Sequence, residues 1–187
     1  PYLINTTAGM LNVLTGELLP HAEGFYSTTQ IPVEYQPGAT CPRTLEWFSQ
    51  MLAEQEDIDQ VQEMFGYCLC PAISYHAFFF LFGDGGTGKS TCVELLTALC
   101  GERNAMAIQL EELDNAFTRA QLVGKQLFLC KELTRSSFKH MGLIKAITSG
   151  DPMYVDQKHK EGFYYRPTGR FVICLLYTSD AADERNS

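Results

Sequence analysis

The sequence predicts an α/β fold whose core is a parallel sheet. Residues 77–82 form an unbroken apolar run and residues 126–130 a nearly unbroken one, and both runs have the length of strands. Such runs are typical of strands that are buried on both faces, as in parallel sheets. Between them, residues 90–100 carry apolar side chains at helical spacing and end at Gly101, a common helix terminator. A strand, a helix and a second strand in this order predict the crossover that joins parallel strands.

The composition is that of a globular protein with an acidic body. The 187 residues are 45% hydrophobic and 19% charged, which suits one core of ordinary size, either alone or with a small appended lobe. The net charge of −8 argues against a protein that coats nucleic acid with a basic surface. Acidic residues concentrate in residues 54–63 and 102–114, whereas lysines and arginines cluster in residues 125–170. We therefore expect any nucleic-acid contact in the C-terminal third.

The cysteines indicate a reducing compartment, and the apolar runs are too short to span a bilayer. Cys68 and Cys70 form a Cys-x-Cys pair that no second pair follows, so free thiols are favoured over a structural zinc site. Free thiols are typical of a reducing compartment. No apolar run approaches the roughly 20 residues that span a bilayer. We expect a cytoplasmic protein without membrane contact.

Residues 83–90 carry the strongest motif of the chain. They match the phosphate-loop pattern G-x-x-x-x-G-K-[ST], directly after a predicted strand and before a predicted helix. Glycines let backbone N–H groups approach phosphate oxygens, and the helix N-terminus adds a partial positive charge. Lys89 is expected to neutralise the β- and γ-phosphates of ATP, and the Ser90 hydroxyl to ligate Mg²⁺. The alternative is a glycine-rich turn that binds nothing. The predicted nucleotide contacts are Gly83, Asp84, Gly85, Gly86, Thr87, Gly88, Lys89, Ser90 and Thr91.

A phosphate-loop enzyme also needs a carboxylate at the end of a neighbouring strand. Glu132 follows the apolar run of residues 126–130 almost directly. We predict that Glu132 assists catalysis, either by holding the Mg²⁺ shell, directly or through water, or by polarising the attacking water. The alternative is a solvated glutamate at a strand end. Together with the phosphate loop, this arrangement predicts a P-loop NTPase core that uses ATP and Mg²⁺.

The rest of the chain has weaker signals. Residues 1–40 contain short apolar stretches broken by turn signals, which predict two or three short strands or an irregular cap. Residues 42–69 show helical spacing and predict two amphipathic helices that are joined near Glu56 and Asp57. Beyond the phosphate loop, we expect helices in residues 108–120 and 143–148 and a hairpin with arms at residues 153–155 and 163–165.

The order of these features resembles the superfamily 3 helicase domain of phage, satellite-phage and plasmid replication proteins, known as phage P4-like and poxvirus D5-like primase-helicases. The similarity covers most of residues 5–173. It is most specific in residues 143–151 and 155–160, with weaker matches in residues 9–21 and 35–42.

The resemblance implies both an architecture and an activity. A small, mainly helical D5-like domain over residues 1–75 would precede an AAA+-like helicase core over residues 76–173. The intact protein would be an ATP-driven motor that acts on single-stranded or forked DNA as a homo-hexameric ring. Its setting would be the cytoplasm of a bacterial host.

The resemblance further implies that the predicted hairpin points into the channel of the ring and grips DNA. Its tip would be Lys158, His159 and Lys160. Three adjacent cationic or titratable side chains on a short hairpin also suit phosphate contacts in their own right. The alternative is an exposed turn without a ligand.

Two further groups of residues belong to the hairpin. Lys145, Gly150 and Asp151 are expected to shape its base, on the strength of the resemblance. Tyr164 and Tyr165, on the second arm, are candidates for stacking on bases. Packing within the hairpin is the alternative for both tyrosines.

The end of the chain is not expected to belong to the domain. Residues 171–173 look like the start of the family's sensor strand, whereas residues 174–184 resemble a translated transposon-based sequencing adapter. We therefore treat residues 174–187 as a non-native tail, with a native polar tail as the alternative. The core is then truncated after Ile173, ahead of the sensor asparagine and arginine finger that the resemblance implies. The fragment itself is expected to be weakly active or inactive.

An ATP-dependent DNA helicase is the function that these features favour. An ATP-dependent switch or loader that assembles on DNA without unwinding it is the alternative, and strand displacement separates the two. A small-molecule phosphotransferase would need an acceptor pocket and lid arginines, for which the sequence offers no candidates. An RNA-virus helicase of the same superfamily is disfavoured by the helical N-terminal segment.

Overall fold

The computed structural model describes residues 2–72, 75–130, 133 and 137–176. The first part of the chain forms a small antiparallel sheet of three strands, β1 (Leu3–Asn5), β2 (Met10–Asn12) and β3 (Leu18–Leu19). This confirms the expectation of two or three short strands. Residues 20–41 then run without a helix or strand.

Two helices follow, α1 (Pro42–Met51) and α2 (Gln55–Leu69), as the apolar spacing predicted. Pro42 begins α1 at a position where the missing N–H group costs no hydrogen bond. The helices are joined at residues 52–54, so the predicted junction near Glu56 and Asp57 is wrong by a few residues. Both carboxylates lie in the first turn of α2, where the positive end of the helix dipole favours them.

The remaining elements build a core around a larger sheet. Short 3₁₀ turns at Glu102–Asn104, Leu110–Asp114 and Ser137–His140 join some of them. In chain order the elements are β4 (Phe79–Gly83), α3 (Lys89–Cys100), β5 (Ala105–Ala107), α4 (Ala116–Ala120), β6 (Leu127–Cys130), α5 (Met141–Thr148), β7 (Met153–Val155), β8 (Phe163–Tyr165) and β9 (Arg170–Leu176).

The larger sheet is parallel, which confirms the predicted fold class. Its strands hydrogen-bond in the order β4, β9, β6 and β5, and every neighbouring pair is parallel. The carboxyl ends of all four strands therefore lie at the same edge of the sheet. Strand β6 is buried along its whole length, as its apolar run predicted. Strands β7 and β8 form the separate antiparallel hairpin that was expected.

Strand β4 departs from the prediction of a strand that is buried on both faces. It lies at the edge of the sheet and pairs with β9 alone among the described strands. Phe80 and Phe82 are 45% and 65% exposed, whereas Phe79 and Leu81 pack into the core. An apolar run by itself cannot distinguish an edge strand from a central one, because the crossovers elsewhere in the chain set the strand order.

Apolar side chains cover both faces of the parallel sheet. On one face, α1, α2 and α3 share a single hydrophobic core with the strands, including Phe48, Met64 and Leu96. On the other face, α5 and the segment between β5 and β6 pack against Phe128 and Phe171. One core thus spans the N-terminal helices and the sheet. The predicted domain division after residue 75 stays a prediction.

The C-terminal end of α2 is held by a glutamine that directly precedes strand β6. The side-chain amide of Gln126 donates hydrogen bonds to the carbonyl oxygens of Cys68 and Leu69, at 3.1 and 2.7 Å. The last carbonyl groups of a helix have no partner within the helix. Gln126 therefore supplies donors at a buried position where water is excluded.

Arg170 supplies the second anchor at the same helix end. It is only 3% exposed, and its guanidinium donates to the carbonyl oxygens of Cys70 and Ala72. The guanidinium carbon also lies 4.2 Å from the centre of the Tyr67 ring. Burial lowers the pKa of Arg170, an effect that the neighbouring Tyr67 opposes. This arginine joins the N-terminal helices to the first residue of β9.

The remaining differences from the sequence expectations are local. Residues 108–120 form a 3₁₀ turn followed by the short α4 instead of one helix, and β5 was not predicted. Strand β9 continues past Ile173 to Leu176, and Cys174 is buried, so residues 174–176 belong to the core strand. Residues 177–187 lie outside the described residues, and the assignment of a non-native tail there stays a prediction.

Replacing Arg170 with methionine should lower the free energy of unfolding by about 2–4 kcal/mol, because buried carbonyl groups lose charged donors. Urea denaturation of the two variants Arg170→Met and Arg166→Met measures this. Arg166 is exposed and donates to the carbonyl oxygen of Gly150, so its replacement should cost less than about 1 kcal/mol. Equal losses for the two variants would contradict the anchoring role.

Candidate functional site

The phosphate-loop motif adopts the strand–loop–helix arrangement that its chemistry requires. Strand β4 ends at Gly83, and α3 begins at Lys89. Gly86 and Gly88 have φ angles of 78° and 82°, in the left-handed region that side chains other than glycine rarely adopt. The loop therefore curves back over the N-terminus of α3, where the helix dipole favours an anion.

Lys89 occupies the concave side of this loop. It is 8% exposed, and its ammonium group donates to the carbonyl oxygen of Gly83 at 2.7 Å and to the carbonyl oxygen of Asp84. It also donates to the hydroxyl of Thr87 at 3.0 Å, and that hydroxyl donates to the carbonyl oxygen of Asp84 at 2.8 Å. The loop thus holds a buried cation at its centre through its own oxygen atoms.

The loop also presents hydrogen-bond donors. In the part of the chain that the structure describes, the backbone N–H groups of Gly85, Gly86 and Gly88 donate no hydrogen bond. Ser90 and Thr91, in the first turn of α3, are exposed. Free donors around a buried lysine at a helix N-terminus fit a triphosphate, and an exposed Ser90 hydroxyl fits a role as a Mg²⁺ ligand.

A cavity of about 650 Å³ adjoins the loop. It lies between β4 and the N-terminal helices, and its lining includes Lys89 and Thr87 from the loop. Met51 and Val61 line it with apolar surface, and Asp57 adds a carboxylate from α2. The cavity has the size and mixed polarity of a small-molecule site.

Helix α1 touches the phosphate loop, a contact that sequence reasoning missed. A Cβ atom at Gly88 would lie 2.8 Å from the Met51 sulfur and 3.3 Å from a ring carbon of Trp47. Position 88 therefore favours glycine for its backbone angle, and a side chain there would also require Met51 to shift. In the sequence, Gly88 alone could have indicated this contact with α1. Its presence was already explained by the phosphate-loop motif, which requires a glycine at this position.

Glu132, the predicted acidic partner, lies outside the described residues, and its role stays a prediction. The preceding strand β6 ends at Cys130 and is separated from β4 by β9. Since both strands are parallel, the carboxyl end of β6 lies at the same sheet edge as the phosphate loop.

The predicted DNA-binding residues lie at the tip of the β7–β8 hairpin. Lys158, His159 and Lys160 are all exposed. His159 has a φ angle of 64°, and the N–H group of Lys160 donates to the carbonyl oxygen of Gln157 at 3.0 Å, which closes a tight turn. The three side chains are thus brought together on one exposed turn, at a different site from the phosphate loop.

Two arginines hold the base of the hairpin. Arg166 donates to the carbonyl oxygen of Gly150 at 2.8 Å, at the end of α5. Arg119, which sequence reasoning missed, donates to the carbonyl oxygens of Tyr154, Leu113 and Asp114. No spacing pattern could have indicated Arg119, because its partners are main-chain carbonyl groups, and the one in the hairpin is 35 residues away.

The two candidate stacking tyrosines have different environments. Tyr165 packs against the core, and its hydroxyl oxygen accepts a hydrogen bond from the N–H group of Gly124 at 3.1 Å. Its stacking on bases, one of the two alternatives, is therefore not supported. Tyr164 is 75% exposed, and its ring contacts that of Tyr154.

Five of the seven cysteines are buried, and Cys41 is exposed. Burial raises the pKa of Cys92 to about 11 and that of Cys100 to about 12, and it raises the pKa of Cys68 further. Buried thiols with raised pKa values are unreactive. The described residues contain no group of three or more cysteine, histidine, aspartate or glutamate side chains that could hold a metal ion.

The parallel sheet, the phosphate loop and the helix that follows it define the fold as that of a P-loop NTPase domain. Residues 81–185 match the family model of DUF5906, which is described as a family of unknown function, and the chain belongs to this family. The match includes the residues whose sequence resembles an adapter. Residues 1–54 match a second family model, described as D5 N terminal like.

Two solved structures share the fold. The A form apo structure of the NrS-1 C terminal region has a TM-score of 0.52 and 20% identity, over 77% of this chain and 34% of that one. A further apo structure of the same region has a TM-score of 0.52 and 20% identity, over 78% of this chain and 35% of that one. The chain thus spans about a third of the length of these structures. At this identity the likeness shows the fold alone.

None of the helices in the described residues has the length and apolar character needed to cross a bilayer.

Replacing Gly88 with alanine should destabilise the fold more than replacing Gly86. Both positions have left-handed backbones, which cost alanine about 1–2 kcal/mol, and nothing lies within 4 Å of a Cβ atom at Gly86. The contact with Met51 at Gly88 should add up to about 1 kcal/mol, because a flexible methionine side chain beside a cavity can shift. Urea denaturation of both variants provides the comparison. If they lose the same free energy of unfolding, α1 does not support the loop.

Proposed function

We propose that this chain is the ATP-dependent helicase module of a phage- or plasmid-type replication protein of superfamily 3. The observation that carries the proposal is the combination of a phosphate loop and an exposed hairpin with a cationic tip on one α/β core. The match of residues 1–54 to a D5 N terminal like model supports the same assignment. The proposed setting is the cytoplasm of a bacterial host.

The phosphate loop would hold ATP by exchanging its internal contacts. The Lys89 ammonium would leave the carbonyl oxygens of Gly83 and Asp84 for the β- and γ-phosphate oxygens. The free N–H groups of Gly85 and Gly86 would donate to the phosphates. The adjoining cavity, with Met51 on its wall, has room for the nucleoside.

Catalysis would add a metal ion and a carboxylate to this loop. Ser90, and Glu132 directly or through water, are the proposed Mg²⁺ ligands. The chemistry that Mg²⁺ supplies when bound is neutralisation of the charge on the β- and γ-phosphate oxygens. Glu132 would also accept a proton from the attacking water or polarise it.

The hairpin would couple hydrolysis to movement along DNA. Its base is tied to α5 through Arg166 and to the segment before α4 through Arg119, so a shift of the core would carry the tip with it. Lys158, His159 and Lys160 would contact the phosphates of a single strand. In a homo-hexameric ring these tips would line the channel.

An ATP-dependent switch or loader remains the second candidate. It would use the same loop and the same hairpin, and it would assemble on DNA without separating strands. Displacement of a labelled strand from a forked duplex distinguishes the two functions.

ATP hydrolysis by the product of the complete parent gene should rise several-fold with single-stranded DNA. Lys89→Ala should abolish both the basal and the stimulated rate, because the variant lacks the cation that holds the β- and γ-phosphates. Release of phosphate, with and without oligothymidylate, measures this. Hydrolysis that is indifferent to DNA would reject the helicase and leave an NTPase domain.

Replacing Lys158 and Lys160 together with alanine should weaken binding to single-stranded DNA and reduce its dependence on salt. Each lost phosphate contact should lower the slope of log affinity against log salt by about 0.7. The matched control is Arg43→Ala/Arg103→Ala, which removes two exposed cations from outside the hairpin. If both double variants bind equally, the tip is an exposed turn without a ligand.

A further inference from the structure

The outer face of the hairpin carries two tyrosines that lie directly opposite each other. Tyr154 on β7 pairs with Tyr164 on β8. Their ring centres are 5.7 Å apart, and the ring planes meet at 70°. The two residues are 43% and 75% exposed, so much of the pair faces solvent.

Gly162 allows the Tyr154 ring to lie against the backbone beside the tip. A Cβ atom at position 162 would be 2.0 Å from the Tyr154 hydroxyl oxygen and 2.4 Å from its ring carbon Cζ. The backbone at Gly162 is outside the left-handed region, so the ring requires the absence of a side chain and not a special conformation. Any other residue would displace the ring from its place against the backbone at position 162.

Charge by itself gives this hairpin little attraction for a polyanion. Within residues 151–166, three acidic residues balance three basic ones when His159 is neutral. Arg166 is also engaged at the base of the hairpin. Affinity for a nucleic-acid strand at this surface therefore needs a contribution besides phosphate contacts. Exposed aromatic rings can supply one, because every base has a face that can stack.

We propose that Tyr154 and Tyr164 form a stacking platform for the bases of single-stranded nucleic acid. This platform, and not the lysines, makes the hairpin prefer a single strand to a duplex. Lysines contact phosphates in both forms, whereas paired bases have no free faces to offer. The inference rests on the proposed function, in which the hairpin contacts DNA. The competing explanation is a pair that only stabilises the hairpin through edge-to-face packing.

The test measures binding of the full chain to labelled oligothymidylate and to a blunt duplex of the same length by fluorescence anisotropy. Tyr154→Leu/Tyr164→Leu keeps apolar contact but removes both rings, and it should weaken oligothymidylate binding roughly ten- to a hundredfold. Tyr154→Phe/Tyr164→Phe keeps both rings and should change affinity less than about twofold. Neither variant should alter duplex binding. Lys158→Ala/Lys160→Ala should weaken binding to both oligothymidylate and duplex.

The outcomes separate this inference from the proposed function. The stacking proposal is wrong if the leucine variant binds oligothymidylate as the wild type does. It is also wrong if this variant loses affinity for oligothymidylate and duplex equally. If the wild type binds neither form, the proposed DNA contact of the hairpin fails.

Should the leucine variant not fold, Tyr164→Trp provides a second test against the baseline emission of Trp47. Quenching by oligothymidylate but not by duplex supports stacking, and unchanged emission overturns it.

Discussion

The carbonyl oxygens at the C-terminal end of α2 accept hydrogen bonds from Gln126 and Arg170, and this contact fixes where the N-terminal helices lie. Both donors come from the beginnings of sheet strands, and both are buried. Because buried carbonyl groups without donors are costly, α2 cannot slide along the sheet without losing free energy. With α2 held in this position, α1 packs against the phosphate loop at Gly88.

The phosphate loop is stable around its own lysine. Thr87 and the carbonyl oxygens of the loop surround the Lys89 ammonium, which compensates for the cost of burying the charge. A nucleotide must therefore compete with these contacts for the lysine. The N–H groups of Gly85 and Gly86 face no such competition among the described residues. The loop thus combines a cation that must be released with donors that are ready to bind.

The hairpin adds a second candidate surface that is built differently. Its cationic tip and its tyrosine pair are exposed, whereas Met153 and Val155 on the inner face of β7 are buried in the core. Alternation along β7 therefore separates anchoring residues from those that face solvent. Arg119 reinforces the same division, since it bonds to the backbone of β7 and leaves the side chains on the outer face exposed.

Local sequence patterns were sufficient to predict the elements whose signal lies within a few neighbouring residues. The motif at residues 83–90 requires a strand before it and a helix after it, and the turn at residues 158–160 needs only local angles and exposed side chains. The edge position of β4 and the burial of Arg170 depend on the tertiary structure. So do the different environments of Tyr164 and Tyr165 and the contact between Met51 and Gly88. Each of these depends on residues far apart in the chain. Their contacts depend on strand order and helix docking, which no local pattern encodes.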